Sequence, residues 1–185
     1  MPLVYGYNEY NITKTKLDYP VSLFELKRHL RIEASFSDDD EYLNDLIKVA
    51  TTSAENYIEK DIAKTLNVLN IKNFNGSCVK IYDGFYNDYI GTYDSNDASI
   101  GEYYYVISEP NCFTINYRDT ISSDSITIKY YTGFSSTTIE PVIKQAILIE
   151  AGNLFDVERN SYTLTGITRV NVFERLLSPY KMILF

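Results

Sequence analysis

The sequence contains no tryptophan, one histidine and two cysteines in 185 residues. Cys78 and Cys112 lack a C-x-x-C spacing, so they support neither a metal site nor a disulfide framework, and we expect two reduced thiols. His29 lies in a predicted helix without a partner motif, which favours a structural or solvated role. Nucleophile-elbow, Walker A, dinucleotide-binding and zincin motifs are all missing. The sequence therefore predicts a binding or assembly protein rather than an enzyme, with no cofactor.

Positive charge is also scarce. Lys and Arg number 17 against 25 Asp and Glu, which gives a net charge of -8 and a pI of about 4.7. Gripping nucleic-acid phosphates requires clustered basic residues, so we expect no sequence-specific DNA binding, although DNA could slide past such a surface. No apolar run reaches the roughly 18 residues that span a bilayer. The N-terminus also lacks a signal-peptide pattern, which indicates a cytosolic product or one packed into something assembled there.

Apolar residues are plentiful at 45%, and tyrosine occurs 18 times. This composition supports one domain, or one core with a large insertion. Tyrosine buries its ring while its hydroxyl stays in a polar environment, which suits half-exposed sheets and interfaces.

Two helices are predicted near the N-terminus, after an irregular arm. "SLFELKRHLRI" begins with a capping box of Ser22 and Glu25. "SFSDDDEYLNDLIKVATTSAENYIEKDI" has apolar residues at a 3.6-residue period. Its acidic run, Asp38–Glu41, lies where the helix dipole favours negative charge, and Ser37 or Asp38 is the expected cap.

From about residue 64 to residue 133 the apolar period changes to two. "TLNVLNIKNF", "CVKIY", "EYYYVI", "CFTINY" and "SITIKYY" predict short antiparallel strands. "DGFYNDYIGTYDSNDASIG" has the composition of a long loop or flexible hairpin. Its Tyr86, Tyr89 and Tyr93 are candidate loop contacts for a partner.

Helical patterns return after the strands. Pro141 marks a helix start, and "VIKQAILIEAGNLF" is apolar on most sides, so this helix is expected to be central and buried. A last helix, "TRVNVFERLLSPYKM", ends or kinks at Pro179. Its expected apolar face consists of Val170, Phe173, Leu177 and Tyr180.

The order of these elements predicts an α+β fold, in which a small helical bundle built from both ends of the chain carries an inserted antiparallel β block. The predicted parts are an N-terminal arm (1–20), a helical core (21–62 and 134–181), a β domain (63–133) and a C-terminal apolar tail (182–185).

Three patterns suggest a metal or ligand site but have simpler explanations. Asp38–Glu41 could bind a divalent cation, yet a helix N-terminus explains the charges equally well. "DSNDASIGE" resembles a calcium loop, but Ala98 stands where an oxygen ligand belongs and Ser99 where glycine is needed. Tyr103 and Tyr105 share one strand face and could stack on a sugar or base, although sheet packing with a protein interface is favoured. We predict no metal site.

The chain ends on an apolar segment, Met182–Phe185. Such a terminus is usually docked, either on its own core or on another chain.

These segments together resemble tailed-phage head–tail connector proteins, also called adaptor or head-completion proteins. "VSLFELKRHLRI" followed by "SDDDEYLNDLIKVATTSAENYIEKDI" resembles the opening of that family. "ITIKYYTGF", "IEPVIKQAILIEAGNLFDVERN" and "FERLLSPYKM" resemble its later motifs, with Lys181 in place of the usual arginine. The resemblance covers roughly 20–62 and 126–182, and the long β block between these regions departs from short family members.

The resemblance implies a structural virion protein, assembled in the bacterial cytoplasm. It implies a ring of identical subunits, commonly twelve, below the portal protein, joined to a tail-side protein and enclosing the DNA channel. The apolar tail would then dock on the portal or a neighbouring subunit. The partner-binding residues expected on this basis are Leu176, Leu177, Tyr180, Met182, Ile183, Leu184 and Phe185.

Two alternatives remain open at the sequence level. One is a tail or baseplate module that recognises a host-surface glycan through the tyrosine-rich β block. The other is an enzyme with an unrecognised site, which the shortage of paired bases, nucleophiles and metal ligands disfavours.

Overall fold

A computed structural model describes residues 3–4, 6, 9–159 and 172–182, with only the backbone described for residues 3 and 156–159. Its elements, in chain order, are β1 (Leu3–Val4), β2 (Tyr10–Asp18), α1 (Leu23–Leu30), α2 (Asp40–Ile58), β3 (Lys64–Tyr82), β4 (Tyr86–Asp94), β5 (Ser99–Ile100), β6 (Tyr104–Ser108), β7 (Phe113–Thr132), α3 (Pro141–Arg159), α4 (Val172–Leu177) and a closing 3₁₀ turn (Ser178–Tyr180). The predicted α+β class is confirmed.

The described residues fall into two compact units. The β unit combines residues up to Asp18 with Lys60–Gly133. The helical unit combines Tyr19–Glu59 with the described residues from Phe134 to Met182.

In the β unit, every strand pair is antiparallel, as expected. The long strands β3 and β7 pair with each other at the centre. Both β1 and β2 pair with β3, both β4 and β6 pair with β7, and β5 extends from β4.

Several sequence expectations for this unit are wrong. The four short strands expected within residues 65–82 and 112–131 are two long ones, β3 and β7. Part of the irregular arm is the strand β2. Of the two alternatives expected for residues 83–101, a long loop or a flexible hairpin, the hairpin is present, because β4 pairs antiparallel with β5. Pairing with a neighbouring strand satisfies the backbone of these polar segments and overrides their loop-like composition.

Strand β7 folds back on itself. A straight strand of 20 residues would extend about 65 Å, yet the rings of Phe113 and Tyr130 on this strand lie 5.1 Å apart. The bend coincides with a register shift, in which Gly76 pairs with Ile121 but Cys78 pairs with Asn116, leaving four residues of β7 opposite one residue of β3. The fold-back lets both ends of β3 and β7 contribute to one core. Its buried members are Val4, Leu69, Ile71, Phe74, Val79, Ile81, Tyr89, Phe113, Ile115, Tyr117, Ile126, Ile128 and Tyr130.

In the helical unit, α3 packs against α1, α2 and α4, which confirms its predicted central position. Its buried residues lie on one broad face rather than all round, and Val142 is exposed. Buried side chains of this unit include Leu26, Leu43, Leu46, Ile47, Ala50, Ala54, Ile58, Ile143, Ala146, Ile147 and Ala151.

The helix starts were predicted with mixed success. The Ser22–Glu25 capping box is present, and α3 begins at Pro141 as expected. The N-cap of α2 is Asp39, without a side-chain cap, rather than Ser37 or Asp38. Residues 37–40 instead form a turn, since the Asp40 amide donates to the Ser37 carbonyl over 3.2 Å.

Within the described ranges, no helix combines the length and apolarity needed to cross a bilayer.

Candidate assembly surfaces

The closing segment docks on its own helical unit. Phe173 and Leu177 of α4 are buried, and the ring of Phe173 lies 6.0 Å from that of Tyr57 on α2. The Met182 amide donates to the carbonyl of Ile58, at the end of α2, over 2.9 Å. Up to Met182, therefore, the apolar terminus has a partner within the chain.

Tyr180 and Lys181 add polar contacts to this docking. The Tyr180 hydroxyl donates to Glu140 Oε2 over 2.5 Å, and this hydrogen bond raises the pKa of Tyr180. Lys181 Nζ lies over the Tyr57 ring at 5.4 Å.

The candidate partner-binding residues thus have different exposures. Leu177 is buried, whereas Leu176, Tyr180 and Met182 are half-buried. Ile183, Leu184 and Phe185 lie outside the described residues, as does Val170. Contact of this segment with a portal or a neighbouring subunit stays a prediction.

The three candidate loop tyrosines lie on strand β4. Tyr89 is buried, and its hydroxyl shares a hydrogen bond of 2.7 Å with Thr92 Oγ1. Tyr86 packs on Phe113 with ring centroids 4.9 Å apart. Tyr93 lies under Lys129 Nζ at 4.5 Å. The structure gives each ring a partner within the sheet, and their role in binding another protein stays untested.

The motif-bearing lysine of α1, Lys27, is buried. Its Nζ donates to the Phe36 carbonyl over 2.6 Å and pairs with Asp40 Oδ1 at 2.5 Å. Because Asp40 is part of the acidic run, this ion pair joins the two opening motifs of the sequence. One of the four acidic residues is thereby explained by an internal contact rather than by a metal.

An ion cluster around buried Asp83, which sequence reasoning missed, lies in the β unit. Lys14 Nζ on β2 contacts Asp61 Oδ2 at 2.6 Å and Asp83 Oδ1 at 2.7 Å. Tyr130 donates to Asp83 Oδ2 over 3.1 Å, and Thr132 donates to Asp61 Oδ2 over 2.9 Å. The cluster connects β2, through Lys14, to the segments that contain Asp61 and Asp83. No periodic signal could reveal it, since its members are far apart in sequence.

The electrostatics of this cluster follow from two carboxylates sharing one ammonium. Burial raises the pKa of Asp83, and the nearby Asp61 charge adds to this, although Lys14 opposes both effects. Burial works against the charged form of Lys14, yet Asp83 and Asp61 outweigh it and raise the Lys14 pKa. The cluster is explained as a structural anchor, and no reacting group is needed to account for it.

The other residues considered for a ligand site have structural explanations. Asp94 accepts amide hydrogen bonds from Asn96 and Ala98, at 2.8 and 2.9 Å, so the calcium-like segment is a capped β-turn. His29 is exposed and, together with Arg28 and Lys144, lines a shallow cavity of about 290 Å³ between α1 and α3. Among the described residues, no group of three or more potential metal ligands is present.

The two cysteines differ in environment. Cys78 is exposed on β3, and Cys112 is buried just before β7. Both are free thiols, as expected. Burial, followed by the Cys112–Glu109 hydrogen bond, raises the pKa of the Cys112 thiol, so this cysteine is poorly nucleophilic.

Structural comparison shows that the fold recurs in particle necks. The chain is similar to one from the neck of an empty gene transfer agent (GTA) particle computed with C6 symmetry, with a TM-score of 0.68 and 13% identity over 94% of this chain and 97% of that one. A chain from the virion of the native GTA particle matches with a TM-score of 0.71 and 12% identity, over 94% and 96%. A chain from the native neck computed with C12 symmetry gives 0.66 and 9% identity, over 94% and 97%.

Comparison at the sequence level identifies a family. None of the curated proteins matches the chain. The family model described as "Phage gp6-like head-tail connector protein" matches residues 20–139. That range is more than half of the chain and includes both opening helices and residues 63–133. The chain therefore belongs to the phage gp6-like head-tail connector protein family.

Proposed function

We propose that this protein is a structural component of a virion neck, where identical copies form a ring below the portal and join the head to the tail. The observation that carries the proposal is the family match over residues 20–139. Fold similarity to neck chains over 94% of the sequence supports it.

The neck maps containing the similar chains were computed with C6 and C12 symmetry, and this supports a ring of twelve copies. In a cyclic assembly each copy presents two different, complementary faces to its neighbours. The helical unit, with α3 at its centre and segments from both parts of the chain, is the proposed body of each subunit. Twelve copies would also match the portal, which is the proposed partner on the head side.

The charge of the chain suits a DNA channel. With a net charge of -8, a ring of these chains would repel the phosphates weakly and let DNA slide, whereas a basic bore would hold it. We propose that DNA passes through the ring without sequence-specific contacts. The proposed location is the head–tail junction of a virion assembled in the bacterial cytoplasm.

Glycan recognition by a tail or baseplate module is the second candidate, because Tyr103, Tyr104 and Tyr105 are all exposed. The family match supports the connector instead. A glycan screen with the purified chain separates the two candidates, since a connector should give no saturable sugar binding.

Removing the chain tests the connector proposal directly. Particles assembled without it should have heads that package DNA but lack tails or lose the DNA, and supplying the wild-type chain should restore tailed particles. Tailed, infectious particles made without the chain would contradict the proposal.

A further inference from the structure

One face of the β unit is unusually rich in exposed aromatic side chains. It is the outward side of the sheet formed by β6, the first part of β7 and the last part of β3. Across the sheet from β6 through β7 to β3, one row consists of Ile107, Thr114 and Lys80. The next row consists of Tyr105, Asn116 and Cys78. Tyr103 continues the row, since its carbonyl accepts from the Arg118 amide over 2.9 Å. We call this surface the tyrosine face, and its members are Tyr103, Tyr105, Ile107, Thr114, Asn116, Arg118, Cys78 and Lys80.

The face is exposed to an extent that core packing does not explain. Tyr103 is 66% exposed, Tyr105 61% and Ile107 49%, while Tyr104 on the other side of the same strand is 46% exposed. At about 200 Å² for each tyrosine side chain, Tyr103 and Tyr105 expose about 250 Å² on this face. With Ile107 added, the exposed area approaches that of the largest patch on a typical monomer, about 300–600 Å², and the two tyrosines alone amount to about a third of the roughly 800 Å² that each partner contributes to a standard interface.

The face also lies beside an open strand edge. Within the described part of the chain, β6 pairs with β7 alone, so its outer backbone groups are available to a partner. The sequence does not protect this edge with proline or with an inward-pointing charge inside β6. Tyrosine and arginine together are typical of protein interfaces.

The charges of the face indicate the kind of partner. Its only ionisable groups that are charged at neutral pH are Lys80 and Arg118, and Arg118 stacks on the Tyr103 ring at 5.6 Å. Glu109 lies at the margin, 3.5 Å from Lys80. A cationic, aromatic surface on a chain with a net charge of -8 complements the rest of that chain. Exposed acidic residues such as Asp38 and Glu41 supply the opposite charge on the helical unit.

We propose that the tyrosine face is the surface through which each copy contacts a second copy of this chain, its neighbour in the ring. The inference rests on the proposed function, since a closed ring needs two complementary faces on every subunit. The neighbour supplies an acidic surface that covers the tyrosines and pairs with Lys80 and Arg118.

The exposed thiol of Cys78 provides a test without any mutation. Alkylation by a maleimide should modify Cys78 quickly in the isolated chain at low concentration. In intact particles the covered thiol should react at least tenfold more slowly. Buried Cys112 is the internal control and should react slowly in both states. Equal labelling of Cys78 in the chain and in particles would overturn the proposal.

A photoreactive benzoyl-phenylalanine at position 105 identifies the partner. Irradiated particles should yield a covalent pair of about twice the chain mass of 21.3 kDa, and mass spectrometry should assign both halves to this chain. Cross-links to a different virion protein, or to a host glycan receptor, would overturn the assignment to a second copy. If the particles contain the chain but Cys78 stays reactive, the tyrosine face is not the contact surface, and the proposed function still stands. If the particles lack the chain, both the contact surface and the proposed function are contradicted.

Discussion

At the scale of single residues, Lys27 explains how the two opening segments of the sequence are held together. Its ammonium is held by the Phe36 carbonyl and the Asp40 carboxylate, in a side chain only 6% exposed. The segment that contains Lys27 and the acidic run that contains Asp40 could both be recognised from the sequence, by their resemblance to the opening of the family. Their mutual contact could not, because it depends on the turn that brings α1 and α2 together.

Replacing Lys27 by glutamine tests this contact. Lys27→Gln should lower the free energy of unfolding by about 2–3 kcal/mol, since it leaves buried oxygen acceptors without their charged donor. Urea unfolding followed by circular dichroism measures the change. Lys48→Gln is the matched control, because the Lys48–Asp45 pair is solvent-exposed. It should leave the midpoint of the urea transition unchanged. Equal effects of the two substitutions would refute the role of Lys27.

A second prediction at this scale concerns pH. The pKa of Asp83 is raised in the folded state, so its contribution to stability is present below pH 3.8, the ordinary pKa, and is lost as the pH rises through the folded value. Relative to Asp83→Asn, the wild type should therefore lose stability as the pH rises above 3.8.

Asp94 supplies the opposite sign as a control. Hydrogen bonds from the Ala98 and Asn96 amides lower its pKa, so its contribution is present above pH 3.8 and is lost as the pH falls through the folded value. Unfolding measured across pH for wild type, Asp83→Asn and Asp94→Asn should give difference curves of opposite slope. Parallel curves would show that the buried cluster does not behave as described.

At the scale of elements, the sequence was informative where a pattern is local. The Ser22–Glu25 box, the period of α2 and Pro141 at the start of α3 all predicted real helices. Strand β2 was missed because almost all its side chains are exposed and no alternation appears. For strand β4 the sequence left a loop and a hairpin open, because its asparagine, aspartate and glycine residues resemble a loop.

The sequence pattern also could not predict that β3 and β7 are each one continuous strand. Gly76 and Ser77 resemble the end of a strand, but Gly76 pairs with Ile121 and Ser77 lies opposite the unpaired residues of the bend. Whether such residues end a strand or bend it depends on pairing across the sheet, which no local pattern encodes. The tyrosine face has the same origin, since register alone brings Cys78 and Tyr105 to the same surface.

The turn after β7 gives a prediction for Gly133. Gly133 has φ +79°, and an added Cβ would lie 2.1 Å from the Ala63 carbonyl oxygen. Gly133→Ala should cost more than about 2 kcal/mol of unfolding free energy, from left-handed backbone strain together with the clash. Gly6→Ala is the control, because Gly6 has φ +87° with nothing within 4 Å, and thermal unfolding should show a clearly smaller loss. A tolerated Gly133→Ala would contradict the close approach.

The closing helix allows packing to be separated from assembly. Leu177 is fully buried in the helical unit, so Leu177→Ala should cost about 2–5 kcal/mol, measurable by urea unfolding. Replacing its half-buried neighbour Leu176 by alanine should lower the free energy of unfolding by less. If the segment also binds a partner, Leu176→Ala should reduce incorporation into particles while the isolated chain remains folded. Normal incorporation would remove Leu176 from the set of partner-binding residues.

At the scale of the whole molecule, charge and assembly decide the function. The account predicts that the isolated chain does not retain duplex DNA in a gel-shift experiment at 150 mM salt, because the phosphates repel a chain whose net charge is -8. Strong, salt-sensitive retention would contradict a channel through which DNA slides.

The central claim is that the chain forms a ring on the portal, and the most direct measurement is its copy number in purified particles. Quantitative mass spectrometry with isotope-labelled peptides can count this chain against the portal protein. The account predicts a ratio near one to one, as expected for a ring that shares the portal's symmetry. A ratio far from one, or absence of the chain from the particles, would contradict it.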